Sequence, residues 1–230
     1  MTTIVVLAAG TGGRFGSTYP KELHTIAPHT AVIDPLMEAI DALPLPDIKL
    51  IVVISPAKLA LVAHLERYHR NTSFVLQRPV VPDGMAAALL SAVPWCDDTT
   101  LVCLGDMVYL TDPVLALTEA LDLTQAGAPV TVVAAATEDP NRLRVEGALA
   151  VTDGIVTAAR EKPTNPTGFN ATWSALAINK SMLKPVGYGL AEHVTDCFVD
   201  APVVWGPDFV NFNVPPTLLP VTSVAEGALR

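Results

Sequence analysis

The feature that most constrains this chain is a regular alternation of apolar and helix-like segments over residues 1–136. The apolar segments are Thr3–Ala9, Lys49–Ser55, Ser73–Gln77, Thr100–Gly105 and Pro129–Ala136. They are rich in Val, Ile and Leu and apolar on both faces, as buried parallel strands are. The helix-like segments between them are Ala31–Leu43, Pro56–His69, Gly84–Val93 and Asp112–Ala126. This alternation predicts right-handed βαβ units in an α/β fold, with a mostly parallel central sheet flanked by helices.

The pattern changes after about residue 138, where the alternation becomes strand-rich. Two segments, Leu143–Val151 and Ile155–Glu161, predict a hairpin around an Asp-Gly turn. A strand near Thr172–Ile178, a helix near Tyr188–Asp200, and short strands around Val203–Trp205 and Phe209–Phe212 are expected to follow. We therefore expect one domain spanning residues 1–230, in which residues 138–230 add a smaller mixed-sheet subdomain to the half formed by residues 1–137.

Composition and charge exclude several classes of protein. The net charge of −9 without a basic block makes general binding to nucleic acid or to an anionic membrane improbable. Cys96, Cys103 and Cys197 are odd in number and form no C-x-x-C, which predicts reduced thiols rather than a disulfide or a zinc site. His64 and His69 lie five residues apart, which does not match the i, i+4 metal pair of a helix. No apolar stretch is long enough for a membrane span or a signal peptide, so a cytoplasmic protein is expected.

A glycine-rich loop with two cations follows the first apolar segment. Gly10, Gly12 and Gly13 would let backbone N–H groups approach a phosphate closely, and Arg14 and Lys21 could neutralise its oxygens. The spacing matches neither a Walker A loop nor G-x-G-x-x-G. A simple tight turn remains the alternative, but the preceding strand and the two cations favour a phosphate site.

Polar residues also follow two other predicted strands, at the edge where ligands bind in open α/β sheets. Gln77 could read the edge of a pyrimidine, and Gly84 could lie close to a base, although a surface Gln and a helix start explain them as well. Asp106 could hold magnesium, or cap a helix. In the second half, Glu161 and Lys162 could bind a sugar phosphate or form a solvated pair. Strand alternation would put Asn211 and Asn213 on one face, where both could point into one site, although they could equally cap a turn before Pro215.

Taken in order, these motifs resemble the sugar-1-phosphate nucleotidyltransferases, also called nucleoside-diphosphate-sugar pyrophosphorylases. The family's opening signature resembles L-A-A-G-x-G-[TS]-R followed by P-K, and here it reads Leu7-Ala8-Ala9-Gly10-Thr11-Gly12-Gly13-Arg14 and Pro20-Lys21. The segment from Gln77 to Ala86 resembles the base-reading segment of glucose-1-phosphate thymidylyl- and uridylyltransferases. Gly13 stands where the family usually has Thr or Ser, and Met85 where it has Leu or Thr.

The resemblance implies a Rossmann-like, GT-A-like fold and assigns roles to particular residues. Catalysis would rest on Arg14, Lys21 and Asp106, and Mg²⁺ would be held by Asp106 with Asn213 or Asn211. The nucleotide would be bound by Leu7, Ala8, Ala9, Gly10, Thr11, Gly12, Gly13, Gln77, Gly84 and Met85, in a nucleotide-binding half of residues 1–137. The sugar phosphate would be bound by Gly147, Glu161, Lys162, Asn170 and Trp173, in the half of residues 138–230.

The implied activity is transfer of a nucleotidyl group from an NTP, with UTP or dTTP favoured, to a sugar 1-phosphate. Two alternatives remain at this point. The short spacing from Arg14 to Lys21 resembles that of cytidylyltransferases, which would act on a sugar or polyol phosphate. The Asn residues at the second metal position and Gly13 leave room for a non-catalytic nucleotide-binding homologue. The sequence does not name the sugar, and a homodimer is possible through the second half.

Overall fold

The structure, a computed structural model, describes residues 1–10, 19–69, 71–78, 84–187 and 194–212, with the side chains of 184–187 left out. Its strands are β1 (Thr2–Leu7), β2 (Thr25–Ala27), β3 (Thr30–Ala31), β4 (Ile48–Ile54), β5 (Thr72–Leu76), β6 (Thr99–Leu104), β7 (Met107–Tyr109), β8 (Val130–Ala136), β9 (Gly147–Thr152), β10 (Ile155–Glu161), β11 (Ala171–Asn179), β12 (Val203–Trp205) and β13 (Phe209–Asn211). Its α-helices are α1 (Asp34–Asp41), α2 (Leu59–Tyr68), α3 (Met85–Ala92), α4 (Val114–Gln125), α5 (Pro140–Val145) and α6 (Lys180–Gly187). Short 3-10 turns cover Lys21–Leu23, Pro56–Lys58, Val93–Trp95 and Val194–Cys197.

A parallel sheet forms the first half, as the sequence predicts. The strand order is β5-β4-β1-β6, and every neighbouring pair is parallel. Strand β1 lies between two partners, with Val5 opposite Ile51 on one side and Val102 on the other. All six residues of β1 are buried. Such a strand is apolar on both faces because helices or other layers cover both sides of the sheet.

The second half extends the same sheet with mixed pairing. Strand β11 lies antiparallel between β6 and β8, so β8 does not pair with β6 directly. The hairpin β9–β10 pairs with the start of β11, and β12 runs parallel to β8. Within the described residues this sheet has nine strands. The predicted α/β class, with a mostly parallel central sheet and a mixed extension, is confirmed, whereas the division of labour between the two halves stays a prediction.

Two predicted boundaries are wrong. Leu143 lies in α5 rather than in a strand, because Pro140 is suited to a first helical turn and Asp139 accepts a hydrogen bond from the N–H of Asn141 at 2.9 Å. The hairpin strand therefore begins only at Gly147. In the described part of the helix expected near 188–200, a 3-10 turn covers Val194–Cys197 instead of an α-helix. Residues 188–193 lie outside the described part of the chain.

The core is built mainly from aliphatic side chains. Helix α3 packs against β1 and β4, and α4 packs against β6, β8 and β11. The hairpin β2–β3 and the strand pair β7–β13 form two small additional sheets. In the parts of the chain that are described, every helix is too short or too polar to cross a membrane.

Candidate active site

The carboxyl ends of β4, β1 and β6 are fastened to one another by backbone hydrogen bonds. The N–H of Gly105 donates to the carbonyl of Leu7 at 3.0 Å, and the N–H of Ala8 donates to that of Val53 at 2.9 Å. A Cβ on Gly105 would lie only 3.1 Å from the Cβ of Ala8, so the two segments approach closely. Ala8, at the end of β1, and Asp106, which follows Gly105, therefore lie on neighbouring segments at the same edge of the sheet.

Lys21 and Asp106 are brought together at this edge. Lys21 lies in the 3-10 turn after Pro20, and its Nζ donates to Oδ2 of Asp106 in an ion pair. The side chains are 8% and 15% exposed, so the pair is nearly buried. Buried charges of this kind are costly unless they are paired. Lys21, a cation of the glycine-rich loop motif, thus pairs with Asp106, the carboxylate that the sequence predicts to hold a metal ion.

Part of the predicted nucleotide site lies outside the described residues. This applies to Thr11, Gly12, Gly13 and Arg14 of the loop, and to Asn213 of the metal site. The described residues of the opening motif, Leu7 to Ala9, are buried at the end of β1, and Gly10 is exposed.

The predicted base-reading residues lie at the end of β5 and the start of α3. The N–H of Gln77 donates to the carbonyl of Ile54 at 2.8 Å, which continues the ladder between β5 and β4. Gly84 has φ +143°, a backbone conformation that residues with a side chain rarely adopt. Its carbonyl accepts a hydrogen bond from the N–H of Ala88 at 3.0 Å. Met85 is the first residue of α3. Glycine is thus required at the start of this helix for backbone reasons alone.

A short strand pair carries the second predicted metal ligand close to Asp106. Strand β7 begins directly after Asp106 and pairs with β13, where Asn211 lies opposite Met107. The N–H of Phe212 donates to the backbone carbonyl of Asp106 at 2.8 Å. A carboxylate and an amide oxygen from these neighbouring segments are ligand types that Mg²⁺ accepts.

Three of the predicted sugar-phosphate residues converge at the start of β9. A Cβ on Gly147 would lie 2.1 Å from Nε1 of Trp173 and 3.2 Å from Oε2 of Glu161. Trp173 is buried and packs edge-on against Phe198, with ring centroids 5.2 Å apart. Because any larger residue would collide with the indole, Gly147 is needed for this close approach.

The other two predicted sugar residues have partners of their own. Nζ of Lys162 lies 2.8 Å from Oε1 of Glu161, and the backbone N–H of Lys162 donates to the backbone carbonyl of Glu146 at 3.0 Å. The side-chain amide of Asn170 accepts from the N–H of Val151 at 2.8 Å and donates to its carbonyl at 2.9 Å. Asn170 therefore holds β9 in place, and its contact with a sugar stays a prediction.

A second ion pair, which sequence reasoning missed, is buried beside Lys21. Lys58 Nζ lies 2.5 Å from Oε1 of Glu22, and the side chains are 4% and 1% exposed. Oε2 of Glu22 is buried and has no hydrogen-bond partner among the described residues. Burial raises the pKa of Glu22 and lowers the pKa of Lys58, while the attraction between them opposes both shifts. Nothing local in the sequence links two charged residues that lie 36 positions apart.

A network around Arg142 was also missed. Arg142 donates to Oε2 of Glu146 at 3.1 Å, to Oδ1 of Asp208 at 2.5 Å and to the carbonyl of Phe209 at 3.1 Å. Its guanidinium carbon lies 4.5 Å from the centroid of the Phe209 ring. Burial raises the pKa of Glu146, against the opposing effects of Arg142 and of the hydroxyl of Thr172. This network ties α5 to β13, the strand that carries Asn211.

The described residues form an α/β fold in which a lysine and a carboxylate pair where β1 and β6 end. Residues 4–203 match the MobA-like NTP transferase domain. The chain belongs to this family and is a nucleotidyltransferase.

Individual proteins resemble this chain in sequence or in fold. The chain is 39% identical over 108 residues to the bifunctional protein GlmU of Thermodesulfovibrio yellowstonii, a match that spans 46% of this chain and 22% of that protein. The chain thus corresponds to only part of this relative. A Bacillus anthracis protein described as a glucose-1-phosphate thymidylyltransferase has the same fold, with a TM-score of 0.78 at 16% identity over 100% of this chain and 96% of that one. UDP-glucose pyrophosphorylase from Acinetobacter baumannii gives 0.75 at 15% identity over 100% and 92%.

Proposed function

We propose that this protein transfers a nucleotidyl group from an NTP to a sugar 1-phosphate and releases pyrophosphate, with UTP or dTTP as the favoured donor. The observation that carries the proposal is the Lys21–Asp106 ion pair where β1 and β6 end. At this edge the cation could contact phosphate oxygens, and the carboxylate could hold a metal ion that neutralises two phosphate esters that repel each other. The names of the two structural neighbours support sugar phosphates and a uracil or thymine base.

In this reaction a phosphate oxygen of the sugar 1-phosphate attacks the α-phosphorus in line. The bond from the α-phosphorus to the bridging oxygen breaks, and pyrophosphate leaves with the electron pair. The nucleophile is already anionic, so no general base is required. The protein contributes positioning and charge neutralisation. Lys21 would contact the α-phosphate and the incoming phosphate, and Arg14 would hold the departing phosphates.

The donor atoms near Asp106 fit Mg²⁺, because hard cations prefer carboxylate and amide oxygens. Asp106 would hold the ion together with Asn211, which lies in β13, or with Asn213. The ion would supply positive charge to the α-phosphate. Lys21 would then turn from Asp106 to the phosphates, so that both charges of the ion pair keep a partner when substrate binds.

The remaining residues would select the substrates. Gln77, Gly84 and Met85 would lie against the base, and Gly10 would let the loop after β1 pass close to the phosphates. Lys162 would grip the sugar phosphate, and Glu161 would accept hydrogen bonds from sugar hydroxyls beside Gly147. Glu161 and Lys162 are 18% and 40% exposed, so solvent and ligand can reach both.

The test is a screen of NTPs against sugar 1-phosphates with Mg²⁺, read as pyrophosphate release, in wild type, Lys21→Met and a control, Lys49→Met. Lys49 also forms an ion pair, with Asp97, but it is more exposed than Lys21 and lies at the opposite end of β4 from Val53. We expect release with a pyrimidine triphosphate in wild type and the control and a loss of about 10²–10³ in Lys21→Met. Equal rates in all three proteins would contradict the proposal.

The same screen separates the alternatives. Release with CTP and a sugar or polyol phosphate would identify a cytidylyltransferase, which the short spacing from Arg14 to Lys21 favours. A rise in melting temperature with nucleotide, without release for any pair, would identify a non-catalytic nucleotide-binding protein.

A further inference from the structure

Two histidine side chains near the end of α2 approach one carboxylate oxygen at the start of α1. Nε2 of His64 lies 2.6 Å from Oδ1 of Asp34, and Nε2 of His69 lies 3.2 Å from the same oxygen. The three potential ligand atoms all lie within 4.8 Å of one another. Asp34 is the first residue of α1, His64 lies in α2, and His69 directly follows α2. None of them belongs to the nucleotidyl-transfer site.

The end of α2 explains why residues five apart can meet, contrary to the expectation from their spacing. His69 has φ −128° and ψ 94°, which is extended rather than helical backbone. The ring of His69 therefore does not take the direction that a helical residue would give it, which would point it away from His64. The N–H of His69 still donates to the carbonyl of Leu65 at 2.8 Å, and its carbonyl accepts from the hydroxyl of Thr72 at 3.1 Å. Two bonds thus fix the backbone that aims this ring.

The carboxylate of Asp34 is held in a matching orientation. Its Oδ2 accepts the N–H of Ala31 at 2.7 Å, which leaves Oδ1 directed at the two imidazoles. Burial raises the pKa of Asp34, but hydrogen bonds from His69, His64 and Ala31 outweigh it, so the pKa lies below its usual value. The side chains of Asp34 and His69 are buried, and that of His64 is 18% exposed, which leaves a path to solvent.

We propose that Asp34, His64 and His69 bind a borderline transition-metal cation of the Zn²⁺ or Co²⁺ class, which joins the start of α1 to the end of α2. Two imidazole nitrogens and one carboxylate oxygen favour such ions over Mg²⁺ or Ca²⁺. Metal–ligand bonds of about 2.0–2.1 Å in a tetrahedral arrangement place neighbouring ligand atoms about 3.3 Å apart. The observed distances of 2.6 and 3.2 Å need only small side-chain movements to reach this arrangement.

A second carboxylate lies near the site. Oδ2 of Asp41 is 3.9 Å from Nδ1 of His69, the ring nitrogen that does not face Asp34, which is longer than a hydrogen bond. If Asp41 moved closer on metal binding, a hydrogen bond to this nitrogen would orient the ring and increase its basicity. With three protein ligands, a water molecule would complete the coordination. The bound cation would stabilise the contact between the start of α1 and the end of α2, since an unfolded chain does not preform the site.

The test uses metal-stripped protein titrated with Zn²⁺ or Co²⁺ in excess Mg²⁺, which occupies hard-oxygen sites such as the one proposed at Asp106. We expect one Zn²⁺ bound per chain, a melting temperature raised by about 5 °C or more at a hundred-fold excess over Kd, and visible absorption bands with Co²⁺. The result is independent of nucleotidyl transfer. Absence of binding in wild type would overturn the proposal.

Variants show which residues bind the cation. His64→Gln should weaken Zn²⁺ binding at least ten-fold, whereas the control His29→Asn should bind as wild type does. His29 is exposed and has φ 64°, which Asn tolerates. Equal affinities for the two variants would overturn the proposal. If His64→Gln does not fold, imidazole ¹⁵N resonances of wild type decide: Zn²⁺ should move the Nε2 signals of two histidines, and unchanged signals would overturn the site.

Discussion

Lys21 and Asp106, which are 85 positions apart in the sequence, form a nearly buried ion pair where the ends of β1 and β6 meet. Each charge holds the other in place at the edge of the sheet. A ligand that separates the pair would have to offer an anion to Lys21 and a cation to Asp106. The magnesium-bound nucleoside triphosphate of our proposal would meet both requirements.

We first predict that Asp106→Asn lowers the rate of pyrophosphate release by about 10²–10³ while the protein stays folded. The amide keeps the shape of the side chain but removes the charge that pairs with Lys21 and would hold Mg²⁺. Steady-state rates over a range of Mg²⁺ concentrations measure the effect. Asp153→Asn is the control, since Asp153 is exposed in the β9–β10 turn at φ 51°, which Asn tolerates. A rate within two-fold of wild type in Asp106→Asn would remove this residue from the mechanism.

Gly147→Ala should lower the free energy of unfolding by about 1–3 kcal/mol, as overpacking does. The new Cβ would lie 2.1 Å from Nε1 of Trp173, so the indole or β9 must move. We also expect a higher KM for the sugar phosphate, because Glu161 lies beside the same Cβ. Urea unfolding and steady-state kinetics measure the two effects.

A double-mutant cycle checks the cause of this loss. In a Trp173→Leu background the indole is absent, so Gly147→Ala should cost less than it does in wild type. An equal cost in both backgrounds would show that the collision with Trp173 is not what makes glycine necessary.

Lys58→Met should lower the free energy of unfolding by about 3–5 kcal/mol at pH 7, because it leaves the buried carboxylate of Glu22 without its partner. The double variant Glu22→Leu with Lys58→Met should recover most of this stability, since it buries no charge. Urea midpoints measured for wild type, the single variant and the double variant give the comparison. A double variant no more stable than Lys58→Met would contradict this account.

The pH dependence of Lys58→Met follows from the raised pKa of Glu22. Burial raises that pKa, and Lys58 opposes the shift in wild type. The folded variant therefore binds a proton more tightly than the unfolded chain, whose Glu titrates near 4.5. Its stability deficit should shrink as the pH falls from the raised folded pKa towards 4.5, and should be largest above the folded pKa. A deficit that grows on acidification would have the wrong sign.

Arg142→Ala should destabilise the protein by about 1–3 kcal/mol, because it leaves the buried carboxylate of Glu146 without its cation. It should also raise the Mg²⁺ concentration needed for half-maximal rate, since Arg142 bonds the carbonyl of Phe209 in the strand that carries Asn211. Arg144→Ala is the matched control, an exposed arginine of the same helix α5. Identical Mg²⁺ curves for the two variants would show that β13 does not depend on Arg142.

Much of the sheet could be predicted because its signal is local. Buried parallel strands are apolar on both faces, and this pattern located β4, β5 and β6 to within one residue at each end and β1 to within two. The carboxyl ends of such strands meet at one edge of the sheet. Because Lys21 and Asp106 each follow a predicted strand, they are expected to belong to one site. The helix α5 escaped prediction because its apolar residues also fit the start of a hairpin strand.

The sequence by itself determined the parallel strands, the glycine-rich loop after β1 and the polar residues at the strand ends, because periodicity and turn chemistry act between near neighbours. Only the tertiary structure decided that β11 enters between β6 and β8, that Glu22 pairs with Lys58, and that two histidines meet Asp34. These contacts join residues tens of positions apart. Their free energy depends on burial and on distances that exist only once the chain has folded, so no local pattern records them.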